Sequence, residues 1–201
     1  MSAVLVNTTL AILAGGEALR MGRPKGLLNI SGRPILTHIL DAARWPGPTL
    51  LVTSPGRESP PGTEAFNAEA SDPVAGLGPM RGVLTALEHA TTELIVVAAV
   101  DMPSIGPEIF RWLAAELARR PATQAILIER TMDNRVMIEP LPAAFRKSAQ
   151  KMVQEQLAQG KYSLHGLSEC QGIQVIRAPE DWSAALWTNL NFPHDLARLR
   201  P

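Results

Sequence analysis

The run Leu94-Ile95-Val96-Val97-Ala98-Ala99-Val100 has no polar position. A strand that is apolar on both sides must be covered on both faces, as happens at the centre of a parallel sheet lying between helical layers. Other segments supply that setting. Thr8 to Leu13, Thr49 to Thr53, Glu64 to Ala68 and Ile173 to Arg177 read as strands, as does Ala185 to Thr188. Helical periodicity appears from Ile35 to Arg44, from Pro79 through Met80, Val83, Leu84 and Leu87, and from Pro107 to Arg119. Ala125 to Glu129 and Arg135 to Glu139 form a hairpin across Thr131 to Asn134, followed by a helix from Pro142 to Gln159 that Gly160 stops. A short helix is predicted over Tyr162 to Ser168. The chain has 201 residues and an unbroken α/β alternation, so one domain over residues 1–201 is expected.

Two loops at strand ends carry the chemistry. The first strand stops at Gly15-Gly16, and Arg20, Gly22 and Lys25 follow. Closely approaching backbone, inward N–H groups, a guanidinium and an ammonium together suit a dense anion such as a nucleoside triphosphate. The Walker pattern fails because Gly22 is followed by Arg23-Pro24-Lys25, with no Ser or Thr after the lysine. The dinucleotide fingerprint fails on glycine spacing. At the end of the central run, Asp101 stands where open α/β sheets bind ligands, and it is the candidate ligand for Mg2+. Ser104 and Gly106 are nearer caps for the helix that follows. The glycines and prolines between Ser71 and Pro79 read either as a plain turn or as a second approach of backbone to ligand.

Lys and Arg number 19, as do Asp and Glu, so no global field recruits nucleic acid or a membrane surface. Cys170 has no second cysteine to pair with and reads as an ordinary thiol. His165, alone on its short segment, reads as filler. No apolar run reaches the ~18 residues of a membrane helix, and the N-terminus lacks a signal-like pattern. A soluble, cytoplasmic protein is expected.

The pattern Leu13-Ala14-Gly15-Gly16-x-x-x-Arg20-Met21-Gly22-x-x-Lys25 resembles the signature of the GT-A nucleotidyltransferases, most closely the molybdenum cofactor guanylyltransferases. Asp72 followed by Gly76-x-Gly78-Pro79-x-x-Gly82 is similar to that family's second nucleotide loop. Asn189-Leu190-Asn191-Phe192-Pro193-His194-Asp195-Leu196 resembles its closing motif. The resemblance implies a three-layer α/β/α sandwich around a mostly parallel, Rossmann-like sheet. It further implies Mg2+ as cofactor, GTP as donor and molybdopterin as acceptor, with transient contact to insertion chaperones or molybdoenzymes. Arg20, Lys25 and Asp101 would be catalytic; Leu13, Ala14 and Gly15 would face the nucleoside, with Gly16 and Gly22 on the phosphates. Asp72 and Gly78 would belong to the nucleotide site, and residues 125–139 would help build the acceptor side.

Two positions depart from the family pattern. Thr53 stands where an asparagine often contacts the nucleotide, and it offers one donor in place of a paired amide. Arg81 replaces a small residue and reads either as a phosphate contact or as a solvated cation. Asn191 has two roles open to it, a ligand to metal or phosphate, or the cap of a turn before Pro193. The other activities in view are CTP transfer to the same acceptor, a sugar- or alditol-phosphate nucleotidyltransferase, and a nucleotide-binding regulator without turnover. A GT-A glycosyltransferase would want Asp-x-Asp, which Asp101-Met102-Pro103 does not supply.

Overall fold

The structure is a computed structural model and describes residues 2–15, 24–56, 58–132, 135–190, 192, 194 and 195. In chain order its helices and strands are α1 (Ser2–Val6), β1 (Thr8–Leu13), β2 (Asn29–Ile30), β3 (Arg33–Pro34), α2 (Ile35–Ala43), β4 (Thr49–Thr53) and β5 (Ala68–Ser71). There follow α3 (Gly78–His89), β6 (Leu94–Ala99), α4 (Pro107–Ala118), β7 (Ala125–Met132), β8 (Arg135–Arg146), α5 (Gln150–Ala158) and β9 (Ile173–Arg177). The main sheet has seven strands in the order β5-β4-β1-β6-β8-β7-β9, and β2 with β3 forms a small ribbon.

The central run behaves as its composition demands. β6 occupies the middle of the sheet, paired in parallel with β1 and antiparallel with β8. Ile95, Val96 and Val97 are fully buried, as are Leu10, Ala11 and Ile12 of β1. α2 and α4 pack on one another, while α3 packs with α5 and lies against β1, β4, β5 and β6. The result is a three-layer α/β/α arrangement on a mostly parallel sheet. Strands β1, β4, β5, β6, β7 and β9 share one direction. Their carboxyl ends therefore open on one edge.

Four local expectations need correction. Pro142 to Arg146 is the end of β8, and α5 begins only at Gln150. Proline followed by two alanines mimics a helix start, but Ala143, Ala144 and Phe145 fill the gap between β6 and β7 and are fully buried. Pairing across the sheet overrides that local signal. The register jumps from Ile126 opposite Ala144 to Ile128 opposite Glu139, so Pro140 and Pro142 sit in a bulge where no ladder N–H is needed. The third strand in the chain is displaced as well: Glu64 lies in a 3-10 turn, and pairing with β4 starts at Ala68 opposite Leu50. Ala184–Trp187 is likewise a 3-10 turn instead of a strand, with Ser183 Oγ accepting the Ala185 N–H at 3.2 Å. The short helix expected near Tyr162 is a 3-10 segment over Leu164–Glu169. Asp133 and Asn134 of the hairpin turn lie outside the described residues.

Candidate active site

A cavity of about 420 Å3 opens at the carboxyl ends of β1, β4 and β6, beside the start of α3. Six of the expected site residues line it: Leu13, Gly15, Lys25, Asp72, Gly78 and Asp101. Gly16, Arg20, Gly22 and Asn191 lie outside the described residues. β1 brings Leu13 and Gly15 to the edge, and β6 brings Asp101, two residues beyond its last paired position. Lys25 arrives on a 3-10 turn, Lys25–Leu27, after the glycine loop.

The polar floor of the cavity is an ion pair. Lys25 Nζ donates to Asp101 Oδ2 at 2.8 Å, and their side chains keep 17% and 25% of their exposure. Both charges are partly withdrawn from water yet open to a ligand, so a phosphate can compete for the ammonium. Asp101 is thus engaged across the site and does not cap α4, whose N-cap is Gly106. The Leu190 N–H donates to the Asp101 carbonyl at 2.7 Å, which brings the closing motif back to this edge.

Gly15 is held by its neighbour. Ser54 Oγ donates to the Gly15 carbonyl at 2.5 Å, and a Cβ on Gly15 would lie 2.6 Å from that oxygen. The strand end is therefore clamped where a Cβ would have to displace the serine hydroxyl. Gly78 has φ +67°, a conformation that an L side chain resists, and it opens α3 with no side chain capping the first-turn amides.

Asp72 enters from the end of β5. Its Oδ1 accepts the Thr85 hydroxyl at 2.5 Å. Burial pushes the carboxyl above its ordinary value, opposed by the Thr85 hydrogen bond and the Arg81 charge, with Glu88 adding to the rise. Arg81 corrects both readings given to it. Its side chain is only 11% exposed, and it pairs with Glu88 and bonds Thr85 within α3.

Thr53 and Ala14 do not line this cavity. Successive residues of an extended chain point to opposite faces, so Val52 and Ser54 reach the cavity while Thr53 faces away. The Thr53 hydroxyl lies 3.4 Å from Glu69 Oε1 and from the Ala70 carbonyl. With Ala14 it borders a smaller hollow of about 240 Å3 behind the lysine turn. Ser54 and Thr85 escaped the sequence reading. A threonine on an otherwise apolar helix face was the available signal for Thr85; for Ser54 it was the period of two.

On the same sheet edge a second depression, about 400 Å3, lies past the ends of β7 and β9. Arg130, Arg177, Trp182 and Trp187 border it. Arg130 Nε bonds Glu139 at 2.6 Å and its guanidinium stands 5.4 Å from the Trp187 ring centroid.

Residues 10–172 match the MobA-like NTP transferase domain. The chain belongs to this family. A probable molybdenum cofactor guanylyltransferase of Thermococcus kodakarensis is 31% identical over 199 residues, covering 95% of this chain and 93% of its own. One from Thermococcus sibiricus is 27% identical over 196 residues, covering 94% and 95%. Among solved structures, molybdopterin-guanine dinucleotide biosynthesis protein A from Archaeoglobus fulgidus superposes with a TM-score of 0.76 at 23% identity, over 95% of this chain and 96% of that one. The 2-C-methyl-D-erythritol 4-phosphate cytidylyltransferase of Thermus thermophilus gives 0.71 at 18% identity, over 94% and 95%. At these identities the solved structures establish that the NTP transferase of this chain shares their fold.

Proposed function

We propose that this MobA-like NTP transferase moves GMP from GTP onto the terminal phosphate of molybdopterin, giving the guanine dinucleotide and pyrophosphate. The observation that carries the reading is the Lys25–Asp101 pair, 2.8 Å apart, on the floor of a strand-end cavity in a chain of this family. The names of its curated relatives supply the substrates.

In the reaction an oxygen of the acceptor phosphate forms a bond to the α-phosphorus, and the bond from that phosphorus to the bridging oxygen of pyrophosphate breaks. The attacking oxygen is already anionic, so no general base is needed, and the protein has to align the groups and neutralise charge. Lys25 exchanges Asp101 for the α-phosphate or the bridging oxygen. Arg20 and the backbone around Gly16 and Gly22 hold the β- and γ-phosphates. Asp101, released from Lys25, is the residue that would hold Mg2+. Among the described residues no three His, Cys, Asp or Glu side chains gather, and a single carboxylate suits an ion that keeps its waters and borrows phosphate oxygens. Bound there, Mg2+ would supply Lewis-acid neutralisation of the triphosphate.

Asp72 supports guanine as the base. A carboxylate accepts two adjacent N–H donors, which the N1–H and 2-amino groups of guanine present together; cytosine and adenine each present one amino group on that edge. The depression between Arg130, Arg177, Trp182 and Trp187 supports the acceptor side, with rings for a flat pterin and guanidinium groups for its phosphate. Among the described residues no helix is long and apolar enough to cross a membrane. Cytoplasmic location, and hand-over of product through an insertion chaperone or directly to a molybdoenzyme, go with this reading.

Calorimetric titration of GTP, CTP, ATP and UTP with Mg2+, on the wild type and Asp101→Ala, tests it. GTP preference that weakens in the variant is expected. CTP preference would move the protein to cytidylyl transfer, and no metal-dependent triphosphate binding would remove the enzymatic reading.

A further inference from the structure

The Asp72 carboxylate is one end of a buried chain that runs through α3. Arg81 Nε and Nη2 both donate to Thr85 Oγ1, at 3.2 and 3.0 Å. A hydroxyl has two acceptor lone pairs and one proton. Arg81 takes both lone pairs, so the proton of Thr85 is left for Asp72 Oδ1 at 2.5 Å. The direction of every bond in the chain is thereby set. Thr85 is fully buried, and Arg81 Nη2 also pairs with Glu88. A threonine inside a helix ordinarily bonds back to the carbonyl four residues earlier; Thr85 reaches to another element instead.

This arrangement costs α3 two charged side chains and a buried hydroxyl where apolar packing would serve, and its free end lies in the nucleotide cavity. Asp72 Oδ2 accepts no hydrogen bond from any described residue. We infer that Thr85 and Arg81 are positioning residues for base selection: they lock the Asp72 carboxylate in one orientation, with Oδ2 and the second lone pair of Oδ1 presented to a base carrying two adjacent N–H donors. The inference rests on the guanylyl reading above. The Arg81 charge and the Thr85 bond act against the rise that burial imposes on Asp72. Without them the carboxyl would be free to rotate, and one of its two acceptor positions would be lost.

The test compares GTP with ITP, which lacks the 2-amino group, by calorimetry on the wild type, Thr85→Val and Thr85→Ser. Charge-assisted bonds of this kind discriminate by about 10- to 100-fold. Wild type is expected to prefer GTP over ITP within that range. Thr85→Val is isosteric and should bring the preference to within about threefold while ITP affinity stays within about threefold of wild type. Thr85→Ser, which restores the hydroxyl, should restore the preference. Arg81→Met should fall between the two. Full GTP preference in Thr85→Val overturns the inference. So does equal loss of GTP and ITP binding, or failure of serine to rescue, since either outcome assigns Thr85 to packing. If wild type itself binds GTP and ITP alike, the guanine reading fails first and takes the inference with it.

Discussion

At the scale of single residues, two carboxylates in one cavity have different work because their neighbours differ. Asp101 faces an ammonium; Asp72 faces a hydroxyl and sits where burial penalises its charge. Lys25→Met removes the cation that a phosphate would claim and is expected to weaken triphosphate binding by about 10- to 100-fold, read by calorimetry. The raised Asp72 carboxyl has a consequence for stability. A folded-state value above the ordinary 3.8 means that the unfolded chain releases this proton more readily. The contribution of the protonated group is complete below the ordinary value and is lost as pH rises through the folded one. Asp72→Asn should therefore melt at a higher temperature than wild type at pH 7, and the difference should shrink as pH falls through the carboxylate range. The same variant should lose its preference for GTP. A melting temperature lower than wild type at neutral pH would show that the charge stabilises the fold.

Among the elements, the start of α3 and the end of α4 show opposite solutions for loose helix ends. α3 begins at Gly78 with a positive φ and no capping side chain, and Gly78 and Pro79 line the cavity. Gly78→Ala should cost about 1 to 2 kcal/mol in urea unfolding, and nucleotide affinity should drop with it because the loop must shift. α4 instead ends against Arg146 of β8. Its guanidinium donates to the carbonyls of Leu117, Arg120 and Thr123 at 2.8, 3.1 and 2.9 Å. A cation at a helix carboxyl end satisfies carbonyls that the helix cannot and favours the dipole. Arg146→Met should lower stability by about 2 to 4 kcal/mol in urea while leaving the nucleotide dissociation constant unchanged. A change of affinity as large as the change of stability would contradict that separation.

Over the whole molecule, what could be read from the sequence was what local chemistry decides. β6 announced itself because every residue is apolar, and Asp101 followed from where such a strand must end. Lys25, Gly15 and Asp72 were readable as residues of strand-end loops. β8 was not, because Pro142 to Arg146 takes its structure from β6 and β7, partners that no local window of sequence contains. Thr53 was placed in the site on family pattern, and the alternation of β4 turns it out of the main cavity. Arg81 was visible as an oddity without a partner; its partners Thr85 and Glu88 become neighbours only once α3 is known to be a helix packed beside Asp72. The parallel strands place the Lys25–Asp101 cavity and the Arg130–Trp187 depression on one edge, as the proposed transfer between two substrates would require.

The central claim is transfer of GMP to molybdopterin, and pyrophosphate release tests it most directly. Purified protein with Mg2+ and molybdopterin would be supplied with each of the four nucleoside triphosphates in turn. Release should appear with GTP, require the acceptor, and fall at least about 100-fold in Lys25→Met. Release that is faster with CTP, or that is absent with every triphosphate although GTP binds, would contradict the account.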